Sequence, residues 1–575
     1  MNDGFVAIGA PVPRIDGRAK VTGQARYAAE IAVDGLVHGV VVNATIARGR
    51  ILAVHDGPAR AVHGVLDVLW HGHRSEAPQL AHYFEAGEDF STVPVKPLVS
   101  DDVHYAGQPV ALVLAQTGEA ARYAASLVRI EYEAHAHETD LPRHHGEGRV
   151  PKELDEDTAP PEPRGDADAA FAAAAVRVDA EFHQAVEHHN PIELHASTVI
   201  PGAGGTLTIH DKNQGGHGTR KRLAKVFGLH ESQLTVLNTF VGGAFGSGLR
   251  PQYNVLLAMV GALHLRRPVR VVLTRRQMFT FGHRPEIWQR MRLGAARDGT
   301  LKALIHEAVG ETSRVDEFTE MVTRWSGTLY RCENLRGDYR LLPLDLPTPL
   351  DMRAPGAASG LFPLEVAMDE LAHALGMDPL ALRLHNHAER APSGDKPYSS
   401  KKLRECYALV AERFGWAARD PRPRSRREGD ELWAGAWPAG SGSPSSRQRR
   451  PGWCGTPRAM STWRRRPATS APAPPRCWRK SRRRRWACGW KTCACTSPTR
   501  GCRRRPPRAA PRTWPAWARR WMAPARSCAR RRGSSPGPWR RHRWPTASSR
   551  MWSSPAGACG CAVRRATGCR CGKCW

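Results

Sequence analysis

Residues 352–388 read MRAPGAASGLFPLEVAMDELAHALGMDPLALRLHNHA, and this stretch combines a short loop with strong helix signals. An apolar face at helical spacing is formed by Leu364, Ala367, Met368, Leu371 and Leu375. Asp378-Pro379 predicts the start of another helix, because Asp accepts hydrogen bonds from free N–H groups and Pro fits the first turn. The stretch therefore predicts two successive helices that follow the loop at 352–356.

Segments outside this stretch alternate between strand and helix patterns, which predicts an α+β fold. Strands are expected at Pro109–Ala115, 128–132, Val176–Phe182, Thr206–His210, Leu234–Leu237 and Val269–Thr274, and helices at Glu119–Leu127, Arg220–Gly228 and Gln252–Leu265. Residues 140–167 are rich in Pro, Gly and charge, so a linker is expected there. No apolar run of about eighteen residues and no basic, apolar leader is visible, so we expect a cytoplasmic protein without a membrane span.

Three short segments carry residues suited to ligand chemistry. VGGAFGSG at 241–248 lets the backbone approach a ligand closely, or simply makes a tight turn. Arg353 offers a rigid donor fork to an oxyanion, or pairs with a surface carboxylate. His188, His189 and His195 suggest a metal, but their spacing fits no tetrahedral pattern, which favours polar packing.

Composition changes abruptly after Leu432. Residues 433–575 contain no Asp, Glu, Leu, Ile, Phe or Tyr, yet hold 35 of the 85 Lys and Arg, 12 of the 14 Cys and 14 of the 18 Trp. The net charge of +31 therefore belongs to this tail, because the first 432 residues carry 50 basic and 54 acidic residues. Low aliphatic content with high charge predicts a disordered tail.

Three interpretations of residues 433–575 are open. An Arg-rich, aromatic segment can bind nucleic acid, and the paired cysteines could bind zinc, although their spacing is not that of a zinc finger. The composition is also that of GC-rich DNA read out of frame. Codons for Val-Gly-Trp-Gly-Met-Ala, read one base later, give the sequence at 433–438, and codons for Arg-Asp-Ile-Gly-Thr-Gly-Thr give that at 468–474. We favour the frameshift, and nucleic acid is an unlikely partner.

The motifs taken together resemble the molybdenum-binding subunits of the xanthine dehydrogenase/aldehyde oxidase family, above all those of bacterial aldehyde oxidoreductases. The resemblance covers residues 12–432 and rests on RIDGRAKVTGQARYAAE (14–30), YAGQPVALVLA (105–115), IELHAS (192–197), NQ (213–214), VGGAFGSG (241–248), the stretch at 352–388 and SSKKLRECYALVAERFGW (399–416). It implies an α/β-hammerhead domain at 12–139, the linker at 140–167 and the first part of a molybdopterin-binding domain at 168–432.

The resemblance also implies an activity, a cofactor and partners. It implies a molybdenum–pterin cofactor in this chain, with iron–sulfur and FAD subunits as partners. The substrate would be a small aldehyde or N-heterocycle, oxidised with oxygen taken from water. Export with a signal-bearing partner subunit would make the location periplasmic instead of cytoplasmic.

Site residues can be carried over only where this sequence matches the family motifs. Gln214, Phe245 and Arg353 match residues that line the molybdenum. The cofactor cradle is matched by Gly243, Ala244, Gly246 and Ala354. Leu249 and Pro355 match substrate positions, and an apolar Leu249 favours aldehydes over xanthine, since purine-oxidising members carry a Glu there. Ala244 and Ser247 replace glycines of the family loop.

The family's catalytic base has no counterpart in this chain, because no Gly-x-Gly-Glu follows residue 248. The pterin segment Asp-Ile-Gly-Thr-Gly is found only in the out-of-frame trace at 468–474. We therefore assign no catalytic residue and expect the chain as written to be inactive. Two other readings are a nucleic-acid-binding protein that uses the basic tail, and a non-catalytic scaffold for the iron–sulfur and flavin subunits.

Overall fold

The computed structural model describes residues 11–85, 95–152, 154, 159–392, 394–398, 400–422 and 425–433. Within these ranges the strands are β1 (Val37–Asn43), β2 (Gly49–His55), β3 (Val65–Trp70), β4 (Asp102–Val103), β5 (Pro109–Ala115), β6 (Arg129–Ala134), β7 (Val176–Gln184), β8 (Ala196–Pro201), β9 (Leu207–Asp211), β10 (Leu234–Leu237), β11 (Val269–Val272), β12 (Ile287–Ala295), β13 (Leu301–Ser313), β14 (Leu335–Leu344), β15 (Arg426–Glu428) and β16 (Glu431–Trp433). The disorder predicted for the tail falls on residues 434–575, outside these ranges.

The helices of the same ranges cover the sheets. They are α1 (Gly17–Val21), α2 (Gly57–Arg60), α3 (Ala81–Glu85), α4 (Gly118–Leu127), α5 (Leu141–His144), α6 (Ala167–Ala173), α7 (Gly216–Phe227), α8 (Tyr253–Leu265), α9 (Ser326–Leu329), α10 (Ala357–Leu375), α11 (Pro379–His385) and α12 (Leu403–Phe414). The mixture of helices and strands confirms the predicted α+β class. Within the part that the model describes, none of these helices is both long and apolar enough to cross a membrane.

A seven-stranded sheet joins strands from both sides of residues 140–167, in the order β10-β9-β8-β11-β1-β5-β3. β1 pairs in parallel with β11, and Val37 lies opposite Val269. Helix α8 packs on this sheet through an unbroken run of buried residues, Tyr253–Leu263, since it is apolar all round. Strands of the two predicted domains, residues 12–139 and 168–432, therefore share this sheet.

A second sheet has the order β14-β13-β12-β7, and α10 packs on it. The segment predicted as a linker lies along its edge strand, because Arg149 forms a β-bridge with Leu341 and Arg164 forms one with Leu335. Leu141 of the same segment is fully buried. The described parts of this segment at Arg149 and Arg164 thus pair with an edge strand, which protects that edge from unwanted pairing.

Most predicted elements are present, and their ends follow local chemistry. β5 and β10 have the predicted bounds. The predicted cap at Asp378 is confirmed, because its carboxylate accepts hydrogen bonds from the N–H groups of Leu380 and Ala381. α7 begins at Gly216, four residues before the predicted Arg220, since the glycines there hide the helix signal.

The two sheets bring three loops to one place. β9 and β10 are parallel neighbours, so the segments that follow them leave the same edge of the sheet. Gln214 follows β9, and the loop at residues 241–248, here called the glycine loop, follows β10. Residues 351–356, here called the arginine loop, lead from β14 into α10. The carboxyl ends of parallel strands are where open α/β sheets bind ligands.

Candidate functional site

The glycine loop is folded around the side chain of Gln214. The Gln214 Oε1 atom accepts hydrogen bonds from the N–H groups of Gly246 at 2.9 Å and Gly248 at 3.2 Å, and the Gln214 N–H donates to Gly248 O at 2.8 Å. Because Oε1 is occupied, the Gln214 amide group offers its Nε2 hydrogens to a ligand. The predicted Gln214 is therefore at the loop, with a fixed orientation.

Consecutive N–H groups of the glycine loop are open. Within the described residues, the N–H groups of Gly243, Ala244 and Phe245 have no acceptor, whereas those of Gly242 and Gly246 are bonded. The φ angle is +95° at Gly243 and +60° at Phe245. Successive N–H groups with φ of alternating sign form a concave donor site for anions and oxygen ligands. The N–H of Gly246 is not part of this donor site, since it donates to Gln214 Oε1.

The family departure at Ala244 fits this geometry. Ala244 is buried and does not adopt positive φ, so its Cβ causes no backbone strain. Gly246 is different, because its φ is +117° and an added Cβ would lie 1.9 Å from the carbonyl oxygen of Asp351. The two loops therefore approach each other most closely at Gly246.

The arginine loop is joined to the glycine loop by a backbone hydrogen bond. The Arg353 N–H donates to Phe245 O at 2.8 Å. The Arg353 side chain is exposed, and among the described residues no carboxylate pairs with it. Ala354 has a φ of +60°, and Pro355 follows it, half-buried. The structure thus leaves the Arg353 guanidinium exposed on a loop that is bonded to the glycine loop, and such a group suits a ligand that carries negative oxygen atoms.

The backbone of the arginine loop is hydrogen-bonded to a buried ion pair, Arg284 and Glu320. Arg284 donates to Glu320 Oε1 at 2.8 Å and to the carbonyl oxygen of Arg353 at 2.8 Å. The same Glu320 oxygen accepts from the N–H of Gly356 at 2.9 Å. Arg284 is 2% exposed and Glu320 is 1% exposed. The pair was not foreseen, because nothing in the local sequence links an Arg to a Glu 36 positions later.

The start of the glycine loop is held by Glu193. Its Oε2 accepts a hydrogen bond of 2.6 Å from the N–H of Gly242. A Cβ added at Gly242 would lie 2.7 Å from the Cβ of Glu193, so the loop and this side chain are in close contact. Burial raises the pKa of Glu193 above its ordinary value, while the Gly242 N–H opposes the shift. Glu193 was missed, although it lies inside the IELHAS motif.

Two of the three predicted histidines, His189 and His195, take part in polar packing, and His188 packs against rings. His189 Nε2 lies 2.9 Å from Asp351 O, and His195 Nε2 lies 2.9 Å from Ser247 Oγ. His188 packs against the ring of Phe279. Burial lowers the pKa of His189 to about 4 and that of His188 to about 3, so both are neutral near pH 7. Across the described residues, no cluster of three or more His, Cys, Asp or Glu side chains could hold a metal ion.

The predicted substrate residues lie at the two loops. Leu249 follows the glycine loop, its N–H donates to Gly246 O at 3.0 Å, and its side chain is 46% exposed. Pro355 follows Arg353 in the arginine loop. The Arg353 N–H joins the loops, and both Leu249 and Arg353 are exposed.

Two family models match the chain. Residues 22–136 match the a/b hammerhead domain of aldehyde oxidase and xanthine dehydrogenase. Residues 151–387 match the molybdopterin cofactor-binding domain, which includes Gln214, the glycine loop and the arginine loop.

Individual relatives give the same picture. The chain is 34% identical over 434 residues to the aldehyde oxidoreductase molybdenum-binding subunit of Escherichia coli O157:H7, which covers 75% of this chain and 57% of that protein. It is 28% identical over 430 residues to the xanthine dehydrogenase molybdenum-binding subunit of the same organism, covering 71% and 56%. The solved aldehyde oxidoreductase from Desulfovibrio gigas matches with a TM-score of 0.60 at 26% identity, over 70% of this chain and 46% of that one. The chain thus spans about half the length of the curated relatives it matches.

Proposed function

Because residues 22–136 and 151–387 belong to the aldehyde oxidase and xanthine dehydrogenase family, as the motifs indicated, we propose that this chain is the molybdenum-cofactor-binding subunit of a hydroxylase. Such an enzyme oxidises aldehydes or N-heterocycles with oxygen taken from water. Iron–sulfur and FAD subunits would carry the electrons away. The predicted cytoplasmic location, or export with a signal-bearing partner, is tested by fractionating the source cells.

One observation carries this proposal: the glycine loop has consecutive N–H groups without acceptors among the described residues. The open N–H groups of Gly243, Ala244 and Phe245 lie in one loop, and the Arg353 backbone is bonded to that loop. Donor groups that are fixed before a ligand arrives bind developing negative charge without reorganisation. These residues therefore fit the oxygen-rich molybdenum–pterin group.

The roles of the chain's own residues follow from this geometry. Gln214 presents its Nε2 hydrogens, because the glycine loop occupies Oε1. Phe245 contributes its open N–H, and Arg353 contributes its guanidinium. When bound, the molybdenum–pterin group would supply the redox chemistry and the activated oxygen.

Leu249 supports an aldehyde substrate. Its side chain is apolar and exposed directly after the glycine loop, so a purine would find no carboxylate partner at this position. A site without that partner discriminates against a polar heterocycle. In a frame-restored enzyme with its partner subunits, kcat/KM for benzaldehyde should exceed that for xanthine, and Leu249→Glu should narrow the difference. A preference for xanthine in the unaltered enzyme contradicts the assignment.

The proposal also states that residues 433–575 are translated out of frame. The two shifted peptides at 433–438 and 468–474 support an out-of-frame origin, and 468–474 would restore the pterin segment. Sequencing the gene around codon 432 is the test. The proposal predicts that one inserted or deleted base opens a long reading frame with a Gly-x-Gly-Glu segment. Early stop codons in both other frames would refute it.

Metal content tests the function as a whole. The frame-restored chain, purified with its iron–sulfur and FAD partners, should contain close to one molybdenum per chain and oxidise aldehydes. The chain as written should contain little molybdenum, because its sequence supplies neither the base nor the in-frame pterin segment. Stoichiometric molybdenum and turnover in the chain as written would show that residues 1–433 suffice. Absence of molybdenum from the restored complex would refute the proposed function.

A further inference from the structure

Three buried polar side chains form a continuous line behind the glycine loop. Lys212 Nζ lies 2.9 Å from His195 Nε2, and this nitrogen lies 2.9 Å from Ser247 Oγ. The Ser247 hydroxyl also lies 2.8 Å from the carbonyl oxygen of Ala244. Lys212 is 2% exposed, and His195 and Ser247 are each 1% exposed. The line therefore reaches from the end of β9 into the middle of the loop without contact with solvent.

The charges in this line determine its hydrogen bonds. Burial and the charge of Lys212 lower the pKa of His195 well below its ordinary value, so the ring is neutral. Its Nε2 then accepts from the ammonium group, and the ring proton is on Nδ1. The Ser247 hydroxyl has a single proton and two acceptors, His195 Nε2 and Ala244 O. That proton is donated to one acceptor at a time, so Ser247 bonds either to His195 in the interior or to the loop backbone at Ala244.

Burying the Lys212 ammonium group costs free energy, which another interaction must offset. Isolated buried ammonium groups are strongly disfavoured, and Lys212 has no hydrogen bond to a carboxylate within the described residues, since Glu193 and Asp211 act on it only through space. The polar groups of the line end at one place, the turn from Ala244 to Ser247. That turn contains the open N–H groups of Ala244 and Phe245.

We propose that Ser247, His195 and Lys212 are positioning residues that hold the glycine loop in its open-donor conformation before any ligand binds. Ser247 stands where the family loop usually has glycine, so the device is a property of this chain and not of the loop motif. Only the identity of the ligand rests on the proposed function. The inference that the loop is preformed holds whether or not the proposed function is correct.

Amide hydrogen exchange of the full-length chain, with no cofactor present, tests the proposal. Ser247→Ala removes the hydroxyl without changing the backbone, and Lys212→Met removes the charge at similar length. Exchange of a peptide covering 241–249 should accelerate about 2–10-fold in each variant, the factor expected from the loss of one hydrogen bond. Peptides from β5 report global stability and should exchange as in the unaltered chain. Ser126→Ala, which removes an exposed helical hydroxyl, is the matched control and should leave the 241–249 peptide unchanged.

The outcomes distinguish a local role in holding the glycine loop from a general contribution to the stability of the fold. Unchanged exchange at 241–249 in Ser247→Ala overturns the proposal, whatever Lys212→Met does. Equal acceleration at 241–249 and in β5 also overturns it, because the side chains would then serve only global stability. Local acceleration in a chain whose frame-restored form binds no molybdenum would refute the proposed function and leave the positioning role intact.

Discussion

The glycine loop and the arginine loop meet in one site, but different interactions hold them. The glycine loop is tied mostly by hydrogen bonds to uncharged groups, among them Gln214 and Ser247, with one bond from the Gly242 N–H to Glu193. The arginine loop rests on the buried pair of Arg284 and Glu320. Removing one partner of a buried ion pair leaves an unpaired charge, whereas loss of a neutral hydrogen bond costs far less. The arginine loop should therefore be the more sensitive of the two to mutation.

The largest effect is expected from Glu320→Ala. The change leaves Arg284 with the half-exposed Glu187 as its remaining carboxylate partner and frees the N–H of Gly356. The free energy of unfolding should fall by about 3–5 kcal/mol, measured by urea denaturation. Glu405→Ala breaks the exposed pair with Lys402 and should change stability little. If Glu320→Ala and Glu405→Ala lowered the free energy of unfolding equally, the buried ion pair would not make the arginine loop the more sensitive one.

Gly246→Ala tests the contact between the loops. The new Cβ would meet Asp351 O at 1.9 Å, and alanine disfavours a φ of +117°. A cost of at least about 1–3 kcal/mol is expected from the backbone conformation alone. Gly376→Ala is the matched control, because its φ is +65° and nothing lies within 4 Å of the new Cβ. Urea denaturation should show the greater loss for Gly246→Ala. A smaller loss there would mean that the loops can separate freely.

Acid should loosen the arginine loop through His189. The pKa of His189 is lowered by burial to about 4 in the folded chain, against about 6.5 when unfolded. The folded state thus binds fewer protons, and stability present above pH 6.5 is lost as the pH falls toward 4. At pH 5 the loss from this group is about 2 kcal/mol. Unfolding measured from pH 7 to 5 should show a shallower fall in His189→Gln. The same substitution at the exposed His63 should keep the original slope.

A smaller effect is expected from Gln214→Ala. Two N–H groups of the glycine loop lose their acceptor, but the site is half-buried and water can replace it in part. The free energy of unfolding should fall by about 1 kcal/mol. Gln116→Ala, at an exposed position, is the control. A loss as great as that for Glu320→Ala would show that the glycine loop depends on more than neutral hydrogen bonds.

The smallest effect on stability is expected from Arg353→Ala. The side chain is exposed, so the free energy of unfolding should change by no more than about 0.5 kcal/mol. In the frame-restored complex, molybdenum content should nevertheless drop several-fold, because a free donor fork is lost. Stability and metal content measured on the same sample separate the two roles. A stable variant with full metal content would remove Arg353 from the site.

The sequence predicts the loops better than their supports. Leu364 and Leu371 show the face of α10, and the glycines at 242–248 show the turn, because periodicity and local conformation are short-range properties. Glu320, Arg284 and Lys212 give no comparable signal, since their partners are distant in sequence or lie on other strands. The long strands β12, β13 and β14 were not predicted either. The roles of Gln214, Phe245 and Arg353 at a cofactor came from family resemblance and stay predictions.

The parallel pairing of β1 with β11 has a consequence for how the chain is made. Once β5 has paired with one side of β1, about 150 residues are still to be made before Val269–Val272 can pair with its other side. At about 5–20 residues per second, the β1 edge stays without its partner for roughly 8–30 seconds. A strand edge that stays unpaired for this time can pair with another nascent chain, which favours aggregation. Slower translation or loss of a chaperone should therefore lower the yield of soluble chain before any mature contact is tested.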